Sequence, residues 1–169
     1  SKLKLHARRG LLHAGAMLCF FYGLSVTPLA QVTALSFAVP LFATLFAVLL
    51  LGEIIKIRRI TALLIGFFGT LVIIRPGLID FGLGPILILS QAIIWSLALM
   101  VIKVLTRTDS SLTIAIYASI FLSPMVLIAA IPVWQSPTVY QLILMLIIAT
   151  FGTIAQTLMN ESLKLGETS

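Results

Sequence analysis

The chain has 169 residues, 60% of them hydrophobic and only 9% charged, with a mean hydropathy of +1.19. A water-soluble domain carries about a quarter charged residues, so this composition excludes one and points to an integral membrane protein. The net charge of +6 would favour nucleic acid in a soluble protein, but here the basic residues sit between apolar runs, where they act as topology signals.

Residues 1–10 (SKLKLHARRG) form a basic lead-in, and six apolar runs follow at 11–29, 32–51, 60–74, 86–102, 112–133 and 139–159. Each run is expected to be a transmembrane helix. The second has twenty residues without a charge and Pro40 near its middle. At a rise of 1.5 Å per residue it crosses a hydrocarbon core of about 30 Å. Pro40 removes a backbone hydrogen bond and crowds the preceding turn, so an irregular helix is expected there. The third run is short, with 15 uncharged residues, and its flanking Arg59 and Arg75 can snorkel to the interfaces. All connections are short, so neighbouring helices run antiparallel.

Lysine and arginine set the orientation. With the amino-terminal end in the cytoplasm, Lys2, Lys4, Arg8, Arg9, Lys56, Arg58, Arg59, Lys103, Arg107 and Lys164 all fall inside and Arg75 alone falls outside. That bias supports six spans and puts both ends of this chain in the cytoplasm.

Polar and small residues mark faces that avoid lipid. The second run carries Thr33, Ser36, Pro40 and Thr44 on one face, and the sixth carries Ala149, Thr153, Gln156 and Asn160. Ala62, Gly66 and Thr70 make a small-residue stripe suited to close helix packing. Gln91, Trp95 and Ala98 share a face of the fourth run, and Thr113, Tyr117 and Pro124 share one of the fifth. Burying an amide in hydrocarbon without a partner costs several kcal/mol, about 2–7, so Gln91 and Gln156 are expected to face protein or water. His13 reads as interfacial, close to Arg8 and Arg9, and His6 lies outside the span. Glu53, one turn from Lys56, reads as a solvated cap rather than a coupling carboxylate.

Absences narrow the function. No acidic or basic residue sits mid-membrane in any run, which argues against a proton relay or voltage sensor in this portion. There is no hydrolase triad, HExxH, CxxC or nucleotide-binding glycine loop, so the chain is not expected to be an enzyme or to hold a cofactor or metal. The single Cys19 excludes an internal disulfide framework. A faint repeat lays Gly15 on Gly152 and Ser25 on Ser162, relating runs of opposite direction, as in transporters built from inverted repeats.

The stretch GAMLCFFYGLSVTPLAQVTALSFAVPLFATLFAVLLLGEIIKIRRITALLIGFFGTLVIIRPG resembles the end of an EamA-type domain of the drug/metabolite transporter superfamily. The likeness rests on the short turn after the first run, Pro40, Leu51-Gly52-Glu53 and the closing Arg75-Pro76-Gly77. From Gly84 onward, PILILSQAIIWSLALMVIKVL resembles the start of a second such domain.

The resemblance implies an all-α membrane protein whose six helices are part of a ten-helix inverted-repeat fold. Residues 11–77 would close a first domain and 84–169 would open a second, with two helices expected before Ser1 and two after Ser169. It further implies a secondary transporter of small organic metabolites in a bacterial inner membrane, working by alternating access. The solutes expected are amino-acid-like or other neutral or zwitterionic compounds, or drugs. Tyr22, Ser36, Pro40, Thr44, Gln91, Trp95 and Gln156 are the candidates to line its cavity, and Ala62, Gly66 and Thr70 to pack helices. The partners are a small-molecule solute and the bilayer, not nucleic acid, and a homodimer is left open. A non-transporting scaffold, with polar stripes serving only as packing, is the alternative.

Overall fold

A computed structural model describes residues 2–54, 57–74 and 82–166, apart from the side chains of 59, 70, 71, 73, 74 and 163–166. The described residues are helical: α1 (Lys2–Ser25), α2 (Leu29–Ser36), α3 (Ala38–Leu51), α4 (Ile57–Ile74), α5 (Leu83–Thr106), α6 (Ser111–Ala130) and α7 (Val139–Gly166), with a 3-10 turn at Ile131–Val133. Among the described residues, four segments are long and apolar enough to cross a membrane: Leu29–Leu51, Leu83–Thr106, Ser111–Val133 and Val139–Ser162. Six were expected. Of the other two, α1 spends its first turns on Lys2, Lys4, Arg8 and Arg9, and α4 offers only the shorter apolar stretch Ile60–Gly69.

The helix boundaries follow from local chemistry. The first run ends early, at Ser25, because Pro28 lacks an N–H and restricts Thr27, and α2 then starts with Pro28 at its N-cap. The second run is broken as Pro40 predicts: α2 stops at Ser36, the residue whose carbonyl the proline would have bonded, and Phe37 N–H turns back to Ala34 at 3.2 Å. At the far end Gly52 adopts φ 66°, a left-handed conformation that costs other residues roughly 1–2 kcal/mol. Gly52 and Glu53 N–H groups there return to the carbonyls of Val48 and Ala47. The Leu-Gly-Glu signature is thus a helix stop. The Lys56 partner expected for Glu53 and the Arg75-Pro76-Gly77 ending lie outside the described residues.

Hydroxyl caps start the last two helices. Ser110 accepts from the Thr113 N–H at 3.1 Å and opens α6. Thr138 and Gln141 form a reciprocal capping box at α7: Thr138 N–H donates to Gln141 Oε1 at 2.8 Å, and Gln141 N–H donates to Thr138 Oγ1 at 3.3 Å.

The chain divides into two compact units. The first comprises Ser1–Leu11 and Val101–Ser169, the second Leu12–Met100. In the second unit, small and branched side chains of α5 (Ile88, Ala92, Ser96, Ala98) are buried, as are Ala14 and Ala16 of α1 and Val32, Ala34, Ala38 and Ala47 of α2 and α3. The Ser96 hydroxyl donates to Val39 O at 3.0 Å, joining α5 to the chain just before Pro40. In the first unit, Ile102, Leu105, Ile114 and Ala118 are buried, whereas α7 between Val139 and Ile154 is exposed throughout.

Candidate functional site

In the second unit, α1 and α5 line an open pocket of about 320 Å³. Its wall is aromatic and soft: Met17, Phe20 and Phe21 come from α1 and Trp95 from α5. His13 and Gln91 supply the polar groups. The His13 and Trp95 rings meet at a centroid distance of 4.7 Å, tilted by 50°. Gln91, one turn before Trp95, is half-buried, and its Oε1 has no hydrogen-bond partner. The site therefore offers flat apolar faces, polarizable sulfur and a free amide acceptor. That combination suits a planar ring carrying N–H groups, or a cationic group held over an aromatic face.

The sequence candidates do not converge as a set. Gln91 and Trp95 share this cavity. Tyr22 lies on the exposed side of α1. Ser36 turns its hydroxyl back to Val32 O at 2.8 Å, Pro40 is exposed, and Thr44 is buried away from the cavity lining. Gln156 belongs to the other unit and donates to Asn160 Oδ1 at 3.2 Å. Ala62 and Gly66 lie on an exposed face of α4, where a Cβ built on Gly66 meets nothing within 4 Å, and the Thr70 side chain is outside the description. His13, expected at the interface, also lines this pocket, one turn before Met17.

A second cavity, of about 370 Å³, lies at the start of α5, bounded by Val26, Thr27, Pro28 and Gln31 and by Gly82–Pro85. Gly84 allows Thr27 to approach the backbone, since a Cβ there would collide with the threonine hydroxyl.

The first unit carries a buried polar cluster that the sequence presented as topology charges. Lys2 Nζ donates to Asp109 Oδ1 at 3.0 Å. His6 Nε2–H donates to Oδ2 of the same carboxylate at 3.0 Å, because an ionised carboxylate can only accept. The His6 ring stacks on Tyr117 at 4.4 Å. The hydrogen bond from Lys2 holds Asp109 below the usual carboxylate range, with His6 assisting against the opposing effect of burial. One turn beyond His6, Arg9 is fully buried and Nη1 donates to Ile114 O at 2.6 Å. Its Nε and Nη2 have no partner. Loss of water pushes the guanidinium down to about 10, which leaves it charged at neutral pH.

Four long apolar helical segments among the described residues define a multi-pass membrane protein. The chain belongs to the EamA-like transporter family, whose profile matches residues 2–75 and 82–169. It is 29% identical over 150 residues to the S-adenosylmethionine uptake transporter of Rickettsia bellii, covering 89% of this chain and 52% of that protein. It is 30% identical over 149 residues to the transporter of the same name from Rickettsia prowazekii, covering 88% of this chain and 51% of that one. To the riboflavin transporter of Vibrio cholerae it is 36% identical over 110 residues, 65% of this chain and 37% of that protein. The family and these relatives are transporters, not enzymes. The chain spans about half the length of the S-adenosylmethionine transporters it matches. No solved structure matches it significantly.

Proposed function

We propose that this chain is part of a secondary transporter that moves a small metabolite bearing a flat nitrogen heterocycle across a bacterial inner membrane. The observation that carries this reading is the Met17–Phe20–Phe21–Trp95 wall with Gln91 at its edge. S-adenosylmethionine and riboflavin, named for the relatives, both carry a planar nitrogen heterocycle on a polar chain, one zwitterionic with a sulfonium and the other neutral. Stacking on aromatic side chains and a bond to the Gln91 amide suit the ring. The aromatic faces also suit a sulfonium.

In this reading the chain supplies helices of two inverted halves, divided near residues 77–84, that rock about a midplane site in a ten-helix whole. Both ends of the chain are cytoplasmic. The orientation is tested with single cysteines at Ser110 and Ser136 in a Cys19→Ala background and an impermeant maleimide on intact cells. Labelling of Ser136 alone is expected, and labelling of Ser110 alone overturns the orientation. The substrate class is tested in proteoliposomes of the full-length protein with radiolabelled S-adenosylmethionine and riboflavin. Saturable uptake of either, inhibited by the other or by adenosine, is expected. Saturable uptake confined to solutes without a ring overturns the assignment.

A further inference from the structure

Arg9 is the least expected buried residue in the chain. It precedes the first apolar run, yet none of its surface is exposed, and one of its three nitrogens is bonded, to a carbonyl. Neither described acid of its unit neutralises it: Asp109 gives its two oxygens to Lys2 and His6, and Glu161 is exposed. The surroundings add more donors than acceptors. Arg9 bonds the first turn of α6, a helix of 20 residues, whose Ser111 and Leu112 N–H groups precede the capped Thr113 and lie at the positive end of the dipole. Ser111 is buried and its hydroxyl has no partner. Asn160 on α7 is fully buried, with Oδ1 bonded to Gln156 and Nδ2 without a partner. The short connection makes α6 and α7 antiparallel, and counting away from it brings Asn160 within a turn of the level of Ser111.

A buried guanidinium, a helix N-terminus, a hydroxyl and an amide N–H2 thus occupy one end of one unit, where Asp109 is already engaged by Lys2 and His6 and Glu161 is exposed. A guanidinium whose Nε and one Nη are both free presents the parallel pair of N–H bonds that fits two oxygens of one anion. We propose that Arg9, with Ser111 and Asn160, binds a compact oxyanion: the carboxylate or phosphate group of a solute, or the headgroup phosphate of an anionic phospholipid. The downward push on the Arg9 proton affinity, which has loss of water as its only cause, agrees with a charge left without a counter-charge in the protein. The site is independent of which solute the aromatic cavity takes.

The test uses the full-length protein, delipidated in neutral detergent. Its unfolding temperature is followed by tryptophan fluorescence in sodium phosphate and in sodium chloride of equal ionic strength. A parallel arm uses nanodiscs of phosphatidylcholine with and without phosphatidylglycerol. Phosphate at ten times its dissociation constant is expected to raise the midpoint by about 2–4 °C over chloride, with Ser111→Ala reducing the rise and Arg9→Gln abolishing it. A rise with phosphate alone assigns the site to a soluble anion, a rise with phosphatidylglycerol alone assigns it to lipid, and a rise with both describes a site open to either. If neither anion raises the midpoint, or if the rise persists in Arg9→Gln, the proposal is overturned. Should Arg9→Gln fail to yield protein, Arg9→Lys decides, because it keeps the charge and loses the paired donors. An undiminished rise in Arg9→Lys is then the overturning result.

Discussion

Helices α5 and α7 are nearly indistinguishable in composition and opposite in burial. Their apolar stretches have mean hydropathies of 2.2 and 2.1, yet 39% of the most apolar eighteen-residue window of α5 is buried and none of that of α7. On α5 one face is packed by neighbours in its own unit, whereas small and large residues of α7 alike are exposed. Along α5, Ile88, Ala92 and Ser96 repeat every four residues, so one ridge is narrow enough for neighbouring backbones to close on it. Along α7, Leu142, Leu146 and Phe151 are large and exposed. Hydrophobicity thus marks α5 and α7 alike as spans, while the ridge of Ile88, Ala92 and Ser96 marks the side of α5 that is packed.

The sharpest break of that comparison comes from enlarging the small ridge. Ala92→Leu and Ser96→Leu put extra methylenes where no space exists, and overpacking of this kind costs about 1–3 kcal/mol. Ser96→Leu also removes the hydroxyl that bonds Val39 O. Both are expected to reduce membrane abundance severely, as read by quantitative blotting, while Ala149→Leu on exposed α7 leaves it near wild type. Equal losses at all three positions would show that α7 is as tightly packed as α5 in the whole protein.

The second contrast concerns the amides of the two helices. Gln91→Leu on α5 deletes the acceptor on the cavity wall and is expected to lower uptake per molecule about three- to tenfold, the worth of one hydrogen bond of about 0.5–1.5 kcal/mol. Gln156→Leu on α7 is expected to lower uptake less, with abundance near normal. If Gln156→Leu instead cuts abundance and leaves uptake per molecule unchanged, its bond to Asn160 serves packing alone.

Much of this was legible in the sequence. The helical membrane class followed from composition, the family from Pro40 and Leu51-Gly52-Glu53, and the break in the second run from Pro40 itself. The buried faces were harder to read, because a helix apolar on every side has little periodicity to display. Gln91 and Trp95, four residues apart on one face of the fourth run, both line the pocket between α1 and α5. Nearness to Arg8 and Arg9 makes His13 look interfacial, and Arg9 itself looks like a topology charge. A run of lead-in charges looks the same in sequence whether each is solvated or one of them is buried by a helix a hundred residues away, as Ile114 shows for Arg9.

The start of α7 should contribute a smaller effect. Thr138→Ala removes one half of the capping box and is expected to cost about 1 kcal/mol, seen as a modest fall in the unfolding temperature in detergent. Thr138→Ser, which keeps the hydroxyl, should restore most of it. If alanine and serine behave alike, the bonds between Thr138 and Gln141 are incidental to the position of α7.

The smallest effect expected is the pH dependence of the Asp109 cluster. Asp109 is held below the usual carboxylate range by Lys2 first and His6 second, so its folded value is lower than its unfolded one. The sign follows. An acid with a depressed folded value adds stability that is present above its unfolded value, about 3.9, and lost as the pH falls through the folded one. Lys2 is well exposed, with 63% of its side-chain surface open, so solvent screens its bond and the contribution is small. Between pH 6 and about 4 the small difference in unfolding temperature between wild type and Asp109→Asn should change little with pH, and below that it should shrink. Raising the salt should narrow the difference at pH 6 as well, since an exposed pair is screened. A difference that instead grows as the pH falls below about 4 would mean that the protonated carboxyl is the form bound by the cluster, and the assignment of Lys2 and His6 as donors to a carboxylate would fail.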